Sequence, residues 1–163
     1  MDNAQKELII QAVDSRQNIL VVGGTGTGKT TLTNAIIDAV ANRHPGHRLV
    51  IIEDTNEIQC KSENSVVMRS NINVSMLTLL KVTMRMRPDR ILVGEVRGGG
   101  ETLALLKAWN TGHPGGIATV HANDSRAGLI RMEQLIAEVS ANPMQQLIAE
   151  AVNVVVCIEK TPT

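Results

Sequence analysis

The sequence predicts an α/β fold, a largely parallel sheet with helices on both faces. Two observations carry that expectation. Short, continuous apolar runs alternate with segments of helical periodicity, the pattern of parallel strands buried on both sides. A glycine-rich stretch, Gly23 to Thr30, stands between one such strand and one such helix. The 163 residues suit one domain with one core, and residues 1–163 are read as a single domain.

The elements follow in order. Residues 1–16 form a lead-in helix with Leu8, Ile9, Ala12 and Val13 on one side. Asn18 to Val22 is a buried strand ending in glycines. Lys29 to Arg43 has helical spacing, with Leu32, Ile36, Ile37 and Val40 on one face, and stops at the turn signal His44-Pro45-Gly46. Leu49 to Ile52 is a second buried strand, and Ser65 to Met68 a short one. A helix runs from its N-cap Ser75 to about Met86, ahead of Pro88. Arg90 to Gly94 is a strand, Glu101 to Asn110 a helix with Gly112 beyond it, and Ile117 to Val120 a strand. Ser125 to Val139 is an amphipathic helix capped by Asp124. Asn142-Pro143 opens a short helix, since proline suits the first helical position. Val154 to Ile158 is the last strand.

Composition narrows the function. Apolar residues make up 43%, but Trp109 is the single aromatic, so the core is aliphatic and offers no stacking platform for single-stranded nucleic acid. A net charge of zero also argues against strong direct binding of nucleic acid. Cys60 and Cys157 lie far apart with no metal-ligand spacing. No apolar run approaches the roughly 20 residues that span a bilayer. The expected location is cytoplasmic, with peripheral docking on a membrane complex.

Gly23-Gly24-Thr25-Gly26-Thr27-Gly28-Lys29-Thr30 fits the phosphate-loop pattern G-x-x-x-x-G-K-S/T in its required strand–helix setting. Glycines let successive N–H groups point inward as an anion nest, and the helix N-terminus adds its dipole. Gly24, Thr25, Gly26, Thr27, Gly28, Lys29, Thr30 and Thr31 are therefore expected to hold nucleotide phosphates. Lys29 reaches the β- and γ-phosphates, and the Thr30 hydroxyl ligates magnesium. ATP and Mg²⁺ are the expected ligands.

In open parallel sheets, ligand groups gather at the carboxyl ends of strands. Ile91 to Glu95 is an apolar strand closed by a glutamate, placed to orient or deprotonate the water that attacks the γ-phosphate. Glu53, Asp54 and Glu57 form a second acidic cluster, which either serves magnesium and the attacking water or is a polar turn. Arg97 follows the Glu95 strand, and Arg85, Arg87 and Arg90 flank Pro88. Such arginines either stabilise phosphoryl charge or complement a helix C-terminus. In Gly112 to Ala122, a glycine-rich loop enters a strand ending in His121, a position from which imidazole can sense the γ-phosphate.

These segments, in this order, resemble the secretion ATPases that power type IV secretion, type II secretion and type IV pili. Gly23 to Thr30 looks like their Walker A, Ile52 to Glu57 like the Asp box, Ile91 to Arg97 like Walker B, and Gly112 to Ala122 like the His box. Leu92 to Gly98 and Ala108 to His113 look closest to the TrbB-like conjugal-transfer ATPases. The resemblance implies a RecA-like P-loop NTPase that hydrolyses ATP to drive conjugal transfer. Pilus, type II secretion and DNA-acting motors are the alternatives. It implies a homo-hexamer at the inner face of the bacterial inner membrane, within a secretion complex. It casts Glu95, Glu57, His121 and Arg97 as catalytic, and Thr30, Glu53 and Asp54 as metal-binding. The family carries an N-terminal domain ahead of the phosphate loop, whereas 17 residues precede Asn18 here. The chain is accordingly read as the nucleotide-binding domain of a longer protein.

Overall fold

The computed structural model describes residues 1–160. In chain order its elements are α1 (Asn3–Asp14), β1 (Ile19–Gly23), α2 (Lys29–Arg43), β2 (Leu49–Glu53), β3 (Ser65–Arg69) and α3 (Met76–Thr83). There follow β4 (Arg90–Val93), α4 (Gly99–Asn110), β5 (Ile117–His121), α5 (Ser125–Ala137), α6 (Gln145–Ala151) and β6 (Val154–Ile158). The strands lie in the order β3-β2-β4-β5-β1-β6, and every pair is parallel.

The inner strands are mainly apolar because successive side chains point to opposite faces and both faces are covered. Ile19 and Val21 of β1 pack with Ile36, Ile37 and Val40 of α2 and with Ala12 and Val13 of α1. Leu20 and Val22, one step out of phase, pack in the opposite cluster with Leu105 and Leu106 of α4 and Met132 of α5. Helices α1 and α2 thus cover one face, and α3 to α6 cover the other. Trp109 is 2% exposed and donates its indole N–H to the Ile91 carbonyl at 3.2 Å.

Several boundaries differ from the sequence reading. Helix α3 ends at Thr83, and past its C-cap Met84 the chain tightens into i→i+3 bonds, Arg85 N–H to Val82 and Met86 N–H to Thr83. Arg87, which precedes Pro88, takes the left-handed φ of 51° and turns the chain away from the helix. Helix α4 begins two residues early, at Gly99, because the Glu101 carboxylate accepts the N–H groups of Arg97 and Gly98 at 2.8 and 3.0 Å. Helix α5 stops at Ala137, leaving Val139 outside the helix and exposed. Pro143 does not open α6; the helix starts at Gln145 with Met144 as its N-cap. Leu8 is 64% exposed, so the buried stripe of α1 is only Ile9, Ala12 and Val13.

Parallel pairing brings the carboxyl ends of β1, β2, β4 and β5 to one edge of the sheet. Gly23 lies beside His121 in the β1–β5 register, and Gly94 N–H bonds the Ile52 carbonyl beside Glu53.

Candidate functional site

The glycine-rich loop turns between β1 and α2 through two left-handed residues, Gly26 at φ 68° and Gly28 at φ 100°. A side chain at either position would be strained. Gly23 must be small for another reason: an added Cβ would sit 2.7 Å from the Ile158 carbonyl of neighbouring β6. The Thr27 hydroxyl and the Lys29 ammonium both donate to the Gly24 carbonyl at 2.9 Å, which folds the loop over itself. Helices α1, α3 and α5 are closed by the side chains of Asp2, Ser75 and Asp124, but no side chain caps α2. Its first-turn N–H groups, which have no intrahelical acceptor, therefore face outward from Lys29, Thr30 and Thr31.

A cleft of about 570 Å³ opens on these groups. Thr25, Gly26, Lys29 and Thr30 of the loop line it, with Glu53, Thr55 and Glu57 from the turn after β2. Glu95, Arg97 and His121 line it as well. Gly24, Thr27, Gly28 and Thr31 belong to the same loop and helix turn but do not line the cleft; neither does Asp54.

The acidic residues divide by their partners. Glu57 accepts the Thr30 hydroxyl at 3.0 Å, joining the expected magnesium ligand to the acidic turn. Glu53 is 1% exposed. One of its carboxylate oxygens accepts the N–H groups of Glu57 and Ile58 at 3.1 and 3.0 Å, and the other accepts Arg69 at 3.2 Å. With both oxygens engaged, Glu53 orders the 53–58 turn from within while also lining the cleft. Asp54 is exposed and pairs with Arg97. Arg97 also holds a Glu95 oxygen at 2.5 Å, so one guanidinium ties the two strand-end acids together. The Glu95 segment is fixed to β5 by two bonds: Thr119 Oγ1 to the Gly94 carbonyl at 2.6 Å, and Val96 N–H to the Thr119 carbonyl at 3.0 Å.

The arginines around Pro88 do not reach this edge. Arg90 opens β4 opposite Leu49, at the amino ends of the strands, so it stands at the far end of the sheet from the phosphate loop. It is 1% exposed and donates to the Val13 carbonyl at 2.9 Å, the Gly115 carbonyl at 3.2 Å and His47 Nδ1 at 3.1 Å. Burial, with Arg16 nearby, pulls its pKa down to about 10. Arg90 is a structural pin, and Arg85 and Arg87 sit exposed in the turn before β4 at that same end. The histidine stretch is likewise divided: His113 contacts the Pro88 carbonyl at 3.2 Å at the far end, and only His121 reaches the cleft.

The sequence reading missed four contributors: Arg131 and Thr55 in the cleft wall, Thr119 bracing Glu95, and Arg69 bracing Glu53. Arg69 was the most accessible of them, since parallel pairing of β2 and β3 sets it opposite Glu53. Asn18 was also passed over. Its amide receives the N–H groups of Gly115 and Gly116 and donates to the Ala151 carbonyl at 2.7 Å, anchoring the loop that leads into β5.

A probable conjugal transfer protein TrbB of Sinorhizobium fredii is 56% identical over 162 residues, covering 99% of this chain and 50% of that protein. The chain thus spans about half the length of the curated relatives it matches most strongly. The crystal structure of the VirB11 ATPase from the Brucella suis type IV secretion system, in complex with sulphate, superposes with a TM-score of 0.87 at 29% identity. It covers 96% of this chain and 47% of the VirB11 chain. The pilus retraction motor PilT superposes at a TM-score of 0.75 with 24% identity, over 96% of this chain and 45% of its own, and shows the same RecA-like P-loop fold. The type II/IV secretion system protein family matches residues 1–160, and the chain belongs to that family.

Proposed function

We infer that this chain binds Mg·ATP at the cleft, hydrolyses it, and serves as the motor domain of a conjugal transfer or type IV secretion machine. The observation that carries the reading is the uncapped start of α2, where Lys29 and Thr30 line one cleft with Glu95. A left-handed glycine loop with outward N–H groups fits a polyphosphate, because it offers fixed donors with no acceptor of their own. Among the described residues no three His, Cys, Asp or Glu side chains gather into a protein-only metal cage. The Thr30 hydroxyl, with the Glu57 carboxylate bonded to it, fits magnesium, which takes few protein ligands and completes its shell with phosphate oxygens and water. When bound, the ion neutralises charge on the β- and γ-phosphate oxygens.

Each residue then has a role. Lys29, with the loop N–H groups of Gly24 to Thr31, binds the phosphates. Thr30 ligates the metal, and Glu57, bonded to that hydroxyl, fixes its direction. Glu95 orients the attacking water and takes its proton, while Arg97 sets the Glu95 carboxylate in place. His121, beside Gly23 at the start of the loop, reads the γ-phosphate. Glu53 holds the acidic turn through its backbone, and Asp54 acts through Arg97 rather than on the metal.

The conjugal assignment draws on the 56% identity to a probable conjugal transfer protein. The sulphate in the VirB11 complex is consistent with anion binding in the family. Assembly into a homo-hexamer at the cytoplasmic face of the inner membrane, within a secretion complex, belongs to the same proposal. No helix among the described residues is long and apolar enough to cross a membrane. The test is titration of the chain with Mg·ATP by calorimetry together with steady-state phosphate release. Absence of both binding and release would remove the reading.

A further inference from the structure

Helix α5 carries a cation into the cleft that neither the sequence pattern nor the roles above use. At Gly128 an added Cβ would sit 2.6 Å from Val22 Cγ2, so the helix is pressed against the end of β1 from which the phosphate loop departs. Gly128, Met132, Leu135 and Ile136 form its buried face. Arg131, one turn beyond Gly128, stands at the margin of that face. Helical side chains tilt toward the helix N-terminus, and the N-terminus of α5 follows His121 at the carboxyl edge of the sheet. Arg131 accordingly leans toward the phosphate loop, and it lines the same cleft as Lys29, Thr30, Glu95 and His121.

Among the described residues, the carboxylates of that cleft and Lys29 each have a hydrogen-bond partner, and Arg131 has none. Glu53 is engaged by Arg69, Glu57 by Thr30, and Glu95 by Arg97. Lys29 is folded onto the Gly24 carbonyl, within the loop itself. Arg131 makes no hydrogen bond or ion pair among the described residues, although a planar guanidinium is the side chain best suited to grip phosphate oxygens in pairs. It lines the cleft together with Glu95 and His121, the residues to which the proposed function gives the terminal phosphoryl group.

We propose that Arg131 contacts the γ-phosphate from within the same chain and so makes the site distinguish ATP from ADP. The proposal rests on the nucleotide-binding reading. It assigns a direct contact to a residue that would otherwise be a solvated helix side chain. The bond it describes forms only when the third phosphate is present, so its loss must weaken the triphosphate selectively.

The experiment is calorimetric titration of the 163-residue chain with Mg·ATPγS and with Mg·ADP, in wild type, Arg131→Ala, Arg131→Lys and Arg126→Ala. Arg126 lies on the same helix but lines a separate groove against α6 and β6, which makes it the charge-matched control. In Arg131→Ala the ATPγS affinity should fall at least about tenfold, as expected for a lost charge-assisted bond. ADP affinity should stay within about twofold of wild type, Arg131→Lys should fall between, and Arg126→Ala should match wild type with both ligands. Equal loss of both nucleotides in Arg131→Ala, or loss of neither, overturns the proposal. Loss in Arg126→Ala as large as in Arg131→Ala also overturns it, by reducing the effect to net charge. If wild type binds neither nucleotide, the nucleotide-binding reading itself falls and takes this inference with it. Because Arg131 is exposed, the thermal midpoints of its variants should match wild type.

Discussion

At the scale of single residues, Lys29 and Glu95 separate binding from chemistry. Lys29→Ala removes the one side-chain cation of the phosphate loop, so nucleotide binding and turnover should both disappear, measured by labelled-ATP binding and phosphate release. Wild-type turnover in that variant would end the phosphate-loop assignment. Glu95→Gln should keep ATP bound while slowing cleavage at least about a hundredfold, since a general base contributes on that order. An equal fall in affinity and rate would mean that Glu95 ligates the metal and that the base lies in the acidic turn. The loop residues and strand-end acids were legible because their chemistry is local: eight consecutive positions specify the nest. Arg131 and Arg90 were not legible in the same way. Arg90 stands beside other arginines in a turn, and only the sheet reveals that it faces Val13 and Gly115 at the far end of the molecule.

At the scale of elements, the close contacts are carried by glycines. A Cβ on Gly99 would lie 2.1 Å from the Leu135 carbonyl, a backbone atom held inside α5 that cannot swing away. Gly99→Ala should therefore destabilise the chain by about 1–3 kcal/mol through overpacking, visible as a lower urea midpoint. An unchanged midpoint would mean that α4 and α5 slide apart at little cost. This contact also explains why the start of α4 was read late. Gly98-Gly99-Gly100 resembles a loop by propensity, whereas the helix needs a bare backbone there to approach α5. The α2–β2 connection supplies a pH response. Burial foremost, then the Arg90 guanidinium, the stacked His44 ring and Arg16, lower the pKa of His47, with Asp89 opposing. The folded chain thus takes this proton less readily than the unfolded chain. Stability should fall as pH drops through histidine's ordinary value of about 6.5 and stop falling on this account below the folded pKa. His47→Gln should flatten that part of the curve, measured as the change in thermal midpoint between about pH 7.5 and about pH 5.5. An identical slope in the variant would exclude His47 as the source.

At the scale of the whole molecule, the α/β class was legible because every strand of the inner sheet is apolar on both sides. Assembly is not written in such a pattern. We expect the 163-residue chain to sediment as a monomer at micromolar concentration and to hydrolyse ATP slowly. A motor that completes its site with a neighbour's arginine loses roughly a thousandfold in rate without it, about 4 kcal/mol of transition-state stabilisation. The comparison is sedimentation and steady-state turnover beside the longer Sinorhizobium fredii relative, of which this chain matches 50%. Rings and equal turnover from the short chain would show that its site is self-contained.

The place of β1 between β5 and β6 has a consequence for the newborn chain. Asn18 and Asn153, which bond each other at the base of this trio, are 135 residues apart in sequence. The segment bearing the glycine loop leaves the ribosome before either of the strands that flank it. At about 5–20 residues per second, roughly 7 to 27 seconds separate the two events. During that interval an apolar strand with two open edges waits for its partners. Holdase chaperones should therefore engage ribosome-bound chains stalled before β5 and release chains extended past β6.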